Sequence, residues 1–457
     1  IYDTWVSLKE DSSDPQPLLA ESWDISSDGL TYTFNLRDDV VFHNGEEFSA
    51  EDVQYTYEQI LNEENASPSA EFFQQIDNIV VVDDYTVRFE LSSPYAALIL
   101  AMGNPSTGII PKDTGEELGM EALDRSPVGT GPYRFVELVP DDRIVLEKNP
   151  DYFVAEPALD RVVFRPIPQA ETMAAELQAG GIHIATTVLP QDIDRLDQRN
   201  DITVQLVPGL SNRYLGFVDD EAPFSDVRFR RAVYHMIDFD AMVEGIWGQS
   251  GTRAYSWIPP NTLGGETDEL EAAALSYDPE RADELMAELR ADGVIPENFS
   301  FTIYSVQDPL RQRVAQAVAT ALRDYDIQAT VESPEFGTLL PLLEEGVPMY
   351  TMGWGSVPDP DRWTYRIFHS TSNRNFSQYE NEEIDSLLEE GRRVTDNDAR
   401  RAIYQQVMTQ TLAEDYVHIP LVWLNQIVGV NEAVSGFQAS PQGYIHLVTE
   451  ERNVSLQ

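Results

Sequence analysis

Apolar residues recur along this chain with two different spacings, and the spacing changes partway along. In the first third they alternate. Thr31-Tyr32-Thr33-Phe34-Asn35-Leu36 and Tyr85-Thr86-Val87-Arg88-Phe89-Glu90-Leu91 each place a large apolar side chain at every second position. That is the pattern of strands with one buried face. Polar turns at Ser26-Ser27-Asp28-Gly29 and Asn44-Gly45 interrupt the run. Ser49-Ala50-Glu51-Asp52-Val53 reads as a helix start, with Ser49 as N-cap and Asp52 at the capping-box position. Strands over 133–136 and 144–146 are predicted to pair through the acidic turn Pro140-Asp141-Asp142.

Further on, helical spacing takes over. A helix is predicted over 172–179, ended by Gly180-Gly181, and a strand over 215–218. One long helix is predicted from Ser225 as N-cap, carried by Val233, Met236, Ile237, Met242, Val243 and Ile246. Trp257-Ile258-Pro259-Pro260-Asn261 reads as a loop and as a crossing between lobes. Helices over 279–289, 310–325 and 334–343 then alternate with strands over 299–304 and 328–331. Helices over 382–392 and 398–414 and a strand over 419–423 follow. Such alternation predicts an α/β lobe.

Within that lobe, Met349-Tyr350-Thr351-Met352-Gly353-Trp354 is an apolar run of strand length, and Gly355-Ser356-Val357-Pro358-Asp359-Pro360-Asp361 is a turn that cannot continue it. A strand delivering a Trp and a polar loop to a binding position fits this stretch. So does a core Trp beside a surface turn.

A length of 457 residues exceeds one compact core and allows two or three lobes. Charge narrows the function classes. Acidic residues number 79 against 30 basic, a formal net charge of −49, and the only lysines are Lys9, Lys112 and Lys148. Such a surface repels nucleic-acid phosphates and anionic lipid, and acid spread along the whole chain fits a protein suited to concentrated salt. No cysteine is present, which excludes disulfides, thiolate metal sites and a Cys nucleophile. The longest apolar stretch, residues 95–102, is far short of the roughly 20 residues a membrane-spanning helix needs. Ile1-Tyr2-Asp3 reads as the middle of an element, so a leader is expected to precede it.

Catalytic patterns fail one by one. The histidines (His43, His183, His235, His369, His418, His446) form no zinc-type pair. Gly248-Gln249-Ser250-Gly251 is not a nucleophile elbow. Val128-Gly129-Thr130-Gly131-Pro132-Tyr133 lacks the third glycine of a dinucleotide fingerprint and the Lys-Ser/Thr of a phosphate loop. Carboxylate pairs such as Asp359 and Asp361 carry little catalytic information among so many acids. Aromatic residues remain, seven Trp and 20 Tyr, several in loops or at strand ends. Such rings suit a cleft that buries apolar faces or stacks on sugars.

In order along the chain stand Leu19-Ala20-Glu21-Ser22-Trp23, Asp28-Gly29-Leu30-Thr31-Tyr32-Thr33-Phe34, Val41-Phe42-His43-Asn44-Gly45 and Phe48-Ser49-Ala50-Glu51-Asp52-Val53. They are followed by Val128-Gly129-Thr130-Gly131-Pro132-Tyr133, Leu146-Glu147-Lys148-Asn149-Pro150-Asp151-Tyr152, Pro223-Phe224-Ser225-Asp226-Val227-Arg228, Tyr277-Asp278-Pro279, and Gly353-Trp354 with Asp359-Pro360-Asp361. This succession resembles the family 5 extracellular solute-binding proteins, the oligopeptide-, dipeptide- and nickel-binding components of ABC importers. The resemblance implies an α/β, two-lobed periplasmic-binding-protein fold of type II (cluster C) that closes on its ligand by a hinge. It implies a large lobe of residues 1–256 plus 432–457 with an extra subdomain over roughly 35–165, a smaller lobe of 257–431, and crossings near 257 and 431. The implied partners are a small polar solute (oligopeptide, dipeptide or oligosaccharide) and the ABC permease and ATPase subunits. A monomer without cofactor or metal is expected, outside the cytoplasmic membrane and lipid-anchored through a preceding segment.

By the same resemblance, Tyr350, Gly353, Trp354, Gly355, Ser356, Val357 and Asp359 line the site from one lobe, and Asp3, Trp5, Asn104 and Ser106 from the other. Two family anchors are missing. The Asp that holds a peptide's amino group falls at Val357, and an Arg used by oligopeptide binders falls at Thr351. Their joint loss points to a neutral polar ligand or a peptide held through its backbone. A glycoside-active enzyme using carboxylates beside Trp354, and a ligand-sensing partner of a membrane receptor, are the alternatives.

Overall fold

A computed structural model describes residues 1–8, 15–260, 262–355 and 359–457. The chain divides into two compact units. The first comprises Ile1–Leu206, Arg392–Thr395 and Ile427–Gln457, and the second Val207–Gly391 and Asp396–Gln426.

In the first unit the alternating stretches form an antiparallel four-stranded sheet, in the order Ala20–Ile25, Thr31–Leu36, Thr86–Leu91, Ile76–Asp83. Tyr32, Phe34, Val87 and Phe89 point inward, as the two-residue period predicts, and pack with Trp5, Phe48, Tyr57 and Phe73. Helix Ala50–Leu61 carries Tyr57 into this core. Its start is the predicted capping box: the Ser49 backbone N–H donates to Asp52 Oδ2 at 2.8 Å. A three-stranded sheet of Tyr133–Val139, Arg143–Lys148 and Arg161–Phe164 lies over Tyr133, Leu146, Tyr152 and Val448. Residues 427–457 belong to this unit by contact. Ile427 enters a small core with Leu177, Val188 and Ile202, and Val430 and Gly429 pair with Ile184 and Ala185.

In the second unit Met349–Met352 lies antiparallel to residues 214–217 and parallel to Ser300–Tyr304, which is parallel to Gln328–Glu332. Met349–Met352 is covered on both faces and reads as a continuous apolar run. Leu215, Phe217, Ile303 and Met349 face helices Val227–Met236, Phe239–Trp247, Pro279–Ala291 and Pro309–Arg323. Tyr214, Tyr350 and Met352 face a second cluster containing Trp257, Trp363, Phe368, Tyr404 and Trp423.

Three sequence expectations change. The long helix from Ser225 is two helices. Asp226, not Ser225, caps the first by accepting the Arg228 N–H at 2.9 Å. Asp238 caps the second by accepting from Ala241 at 2.9 Å, so the chain restarts where an Asp competes for backbone donors. The short strands at 215–218 and 419–423 are the ends of two long ones, Ile202–Phe217 and His418–Asn431. By contact, the chain passes from the first unit to the second at 206–207 rather than near 257, rejoins the first over 392–395, and returns to it at 426–427. Trp257 is fully buried in the second unit, edge-on to Tyr214 at 4.2 Å, and residues 207–256 supply much of that unit's core.

Candidate functional site

The strand Met349–Met352 is buried at all four residues and ends at Gly353. Tyr350 crosses the neighbouring strand at Gly216, where a Cβ would meet its ring Cζ at 2.3 Å. Its hydroxyl lies 3.0 Å from Ser377 Oγ and 3.2 Å from His418 Nε2, and Ser377 Oγ lies 2.7 Å from the same nitrogen. Burial brings the His418 pKa down to about 3, so the imidazole is neutral and the cluster is a hydrogen-bonded part of the core. Thr351 donates to Ser305 Oγ at 2.8 Å.

At Gly353 the chain passes against residues 212–213. A Cβ there would sit 2.3 Å from the Asn212 carbonyl and 2.6 Å from Arg213 Cδ, so only glycine fits beneath the Arg213 side chain. Trp354 is half-buried. Its N–H donates to Asn212 Oδ1 at 3.2 Å, and the Asn212 N–H donates back to its carbonyl at 3.2 Å. The Arg366 guanidinium lies over its ring, 4.9 Å from the centroid. Gly355 is exposed with open space around it. Ser356 and Val357 lie outside the described residues. Asp359 is buried, caps helix Pro360–Phe368 by accepting the Asp361 N–H at 2.9 Å, and holds Arg400 through both oxygens at 3.0 and 3.1 Å.

The other candidates lie in the first unit. Trp5 is fully buried, edge-on to Phe34 at 4.5 Å and to Phe89 at 5.3 Å. Asp3 is buried too. Its carboxylate accepts from Thr130 Oγ1 at 2.8 Å and the Tyr152 hydroxyl at 3.0 Å, and burial raises its pKa. Asn104 is half-buried and accepts the N–H and hydroxyl of the exposed Ser106 at 3.0 and 2.8 Å. The Asp3 carbonyl accepts from the Ile109 N–H at 3.0 Å, bringing Asp3 beside the turn that holds Asn104 and Ser106.

Sequence reasoning missed Asn212, Arg213 and Arg366. The first two sit in a strand whose polar residues hid it, and the third at an unremarkable helix position. Among the described residues no group of three or more His, Asp or Glu could hold a metal ion, and no helix is long and apolar enough to cross a membrane.

Comparison with known proteins covers nearly the whole chain. The profile described as "Bacterial extracellular solute-binding proteins, family 5 Middle" matches residues 14–375. Heme-binding protein A of Haemophilus influenzae is 30% identical, over 97% of this chain and 85% of its own. The dipeptide-binding protein of Escherichia coli is 27% identical, over 100% of this chain and 89% of its own. Among solved structures, the ABC transporter-associated periplasmic binding protein DppA from Helicobacter pylori, in complex with peptide STSA, superposes with a TM-score of 0.80 at 29% identity, covering 100% of this chain and 92% of that one. The fold is the α/β periplasmic-binding-protein fold of type II, and the chain belongs to the bacterial extracellular solute-binding proteins of family 5.

Proposed function

We propose that this protein is the substrate-binding component of an ABC importer. It captures a peptide at the Gly353-Trp354 turn and passes it to a membrane permease, without chemistry of its own. The observation that carries the reading is the end-to-end similarity to proteins named for peptide binding, joined to a half-buried Trp held at a strand end. The protein would act on the outer face of the cytoplasmic membrane, tethered there by a lipid anchor.

A glycoside-active reading would need a free carboxylate pair, and Asp359 is instead bound to Arg400 and to a helix start. Peptide added to the purified protein should bind reversibly and be recovered uncleaved. Trp354→Ala should weaken that binding by about 2 kcal/mol or more, roughly a thirtyfold rise in Kd by titration calorimetry. Hydrolysis of the peptide would overturn the binding-protein reading, and full affinity in a folded Trp354→Ala protein would move the site elsewhere.

A further inference from the structure

Four stretches of the chain read Asn-X-Ser with X other than proline: Asn65-Ala66-Ser67, Asn298-Phe299-Ser300, Asn375-Phe376-Ser377 and Asn453-Val454-Ser455. That is the acceptor pattern for joining an oligosaccharide to an Asn amide nitrogen, which requires a side chain at the surface. The fold separates the four. Asn375 is buried. Its Nδ2 donates to the Tyr379 carbonyl at 2.8 Å, its Oδ1 accepts the Tyr379 N–H at 3.2 Å, and Ser377 is buried against His418. Asn453 is half-buried. Its Nδ2 donates to the Glu156 carbonyl at 2.8 Å, and its Oδ1 accepts the Ala158 N–H at 2.9 Å. Asn65 is exposed, but its Nδ2 donates to the Gln59 carbonyl at 2.9 Å and to Gln59 Oε1 at 3.0 Å.

Asn298 differs from all three. It is exposed, in the turn between helix Pro279–Ala291 and strand Ser300–Tyr304, with a left-handed backbone (φ 58°) that asparagine tolerates. Among the described residues neither its amide nor the hydroxyl of the exposed Ser300 has a hydrogen-bond partner. Phe299 between them is turned into the core, with its ring 5.9 Å from that of Phe224 and 6.2 Å from that of Phe229. Anchoring the middle residue inward leaves its two neighbours facing out. The acceptor amide and the hydroxyl that marks it are therefore offered to solvent together.

We propose that Asn298 is an N-glycosylation site. The donor is an oligosaccharide carried on a lipid phosphate, and the catalyst is a membrane-bound transferase outside the cytoplasm. Asn298 Nδ2 bonds to the anomeric carbon of the first sugar as the bond from that carbon to the phosphate oxygen breaks. The lipid phosphate leaves with the electron pair, and one Nδ2 proton passes to a base of the transferase. The proposal rests on the reading that the protein works outside the cytoplasmic membrane. The site is also remote from the Trp354 turn. Strand Ser300–Tyr304 runs parallel to Met349–Met352 with Ile303 level with Met349, so Ser300 and Gly353 stand at opposite ends of the sheet, about 20 Å apart along the strands.

The test is mass spectrometry of the protein purified from the cells that produce it, intact and as peptides. The intact mass should exceed that of the polypeptide by a whole number of sugar residues, and the peptide holding Asn298 should carry the addition. Asn298→Gln and Ser300→Ala, made in the same cells, should each lose it. Ser300→Thr should keep it, because the acceptor pattern takes either hydroxyl. Peptide affinity in Asn298→Gln should match wild type. An unmodified Asn298 in protein recovered from outside the membrane overturns the proposal and leaves the importer reading standing. So does a glycan found only on Asn65, Asn375 or Asn453, or one that survives both loss variants. Protein recovered only from inside the cells overturns the outer-face reading and the proposal with it. A glycan on Asn298 of protein that binds no peptide supports the site and overturns the peptide reading instead.

Discussion

The Asp359 carboxylate shows how little a single side chain in this sequence announces about its work. It sits in the Asp-Pro-Asp turn beside Trp354, where a ligand anchor or half of a catalytic pair could equally stand. Its partner Arg400 is 41 positions away in sequence and leaves no local signal. In the fold both side chains are buried, at 4% and 3% exposure, and the carboxylate also closes a helix start. Removing one member of such a pair leaves the other charge buried alone, which costs about 3–5 kcal/mol. Asp359→Ala should therefore lower unfolding stability by about that amount in denaturant titrations. Asp359→Leu combined with Arg400→Met should recover most of the loss, since a buried ion pair can be exchanged for apolar groups of similar volume. A single variant that loses under about 1 kcal/mol would show the pair to be peripheral. Tyr350 and Trp5 make the same point from the apolar side: nothing local in the sequence separates an aromatic that lines a cleft from these two, which lie in the core.

At the scale of elements, periodicity was informative wherever one face is buried. The strand Thr86–Leu91 and the helix Pro309–Arg323 follow their predicted patterns closely. It failed on the strand Ile202–Phe217, because Pro208, Gly209, Ser211 and Asn212 break the apolar run and only its last residues look like a strand. What holds that strand is pairing and close packing supplied from elsewhere in the chain. Gly216 is one tight instance, since the Tyr350 ring occupies the space a side chain would need and its hydroxyl is tied to Ser377 and His418. Gly216→Ala should cost about 1–3 kcal/mol through overpacking. Adding Tyr350→Leu, which vacates part of that space, should return some of it. Equal thermal midpoints for wild type and Gly216→Ala would mean that the two strands separate more easily than this packing allows.

For the whole molecule, family and fold class were legible from many short motifs read in order, whereas the passage between units was not. The Trp257-Ile258-Pro259-Pro260 segment has the composition of a linker, yet its first three residues are buried, while the bounds of the two contact units fall within long strands. Charge also acts at this scale. A net charge of −49 repels itself over a Debye length of about 30 Å at 0.01 M salt but only about 3 Å at 1 M. The thermal midpoint should fall as salt is lowered from molar to millimolar.

Acid should partly replace salt. Asp52, Asp219 and Glu266 are raised above ordinary carboxylate values by burial, so what their protonation adds to stability is complete below the unfolded value and lost as pH rises through the folded one. Asp28, Asp39 and Asp226 are lowered, chiefly by hydrogen bonds from Ser26, Arg37 and Arg228, so their contribution is present above the unfolded value and lost as pH falls through the folded one. At low salt the midpoint should rise on going from about pH 7 to about pH 5 and drop below the carboxylate range. A flat profile would contradict both terms. The division of the chain also sets a timetable. When a ribosome has finished residue 206, the first unit still lacks Ile427 from its small core, the partners of Ile184 and Ala185, and the Phe437 carbonyl and Ala439 amide that hold Gln205. Those pieces are translated more than two hundred residues later, so the unit stays unlatched through most of synthesis, a state in which a polypeptide can still be threaded through a narrow secretion pore.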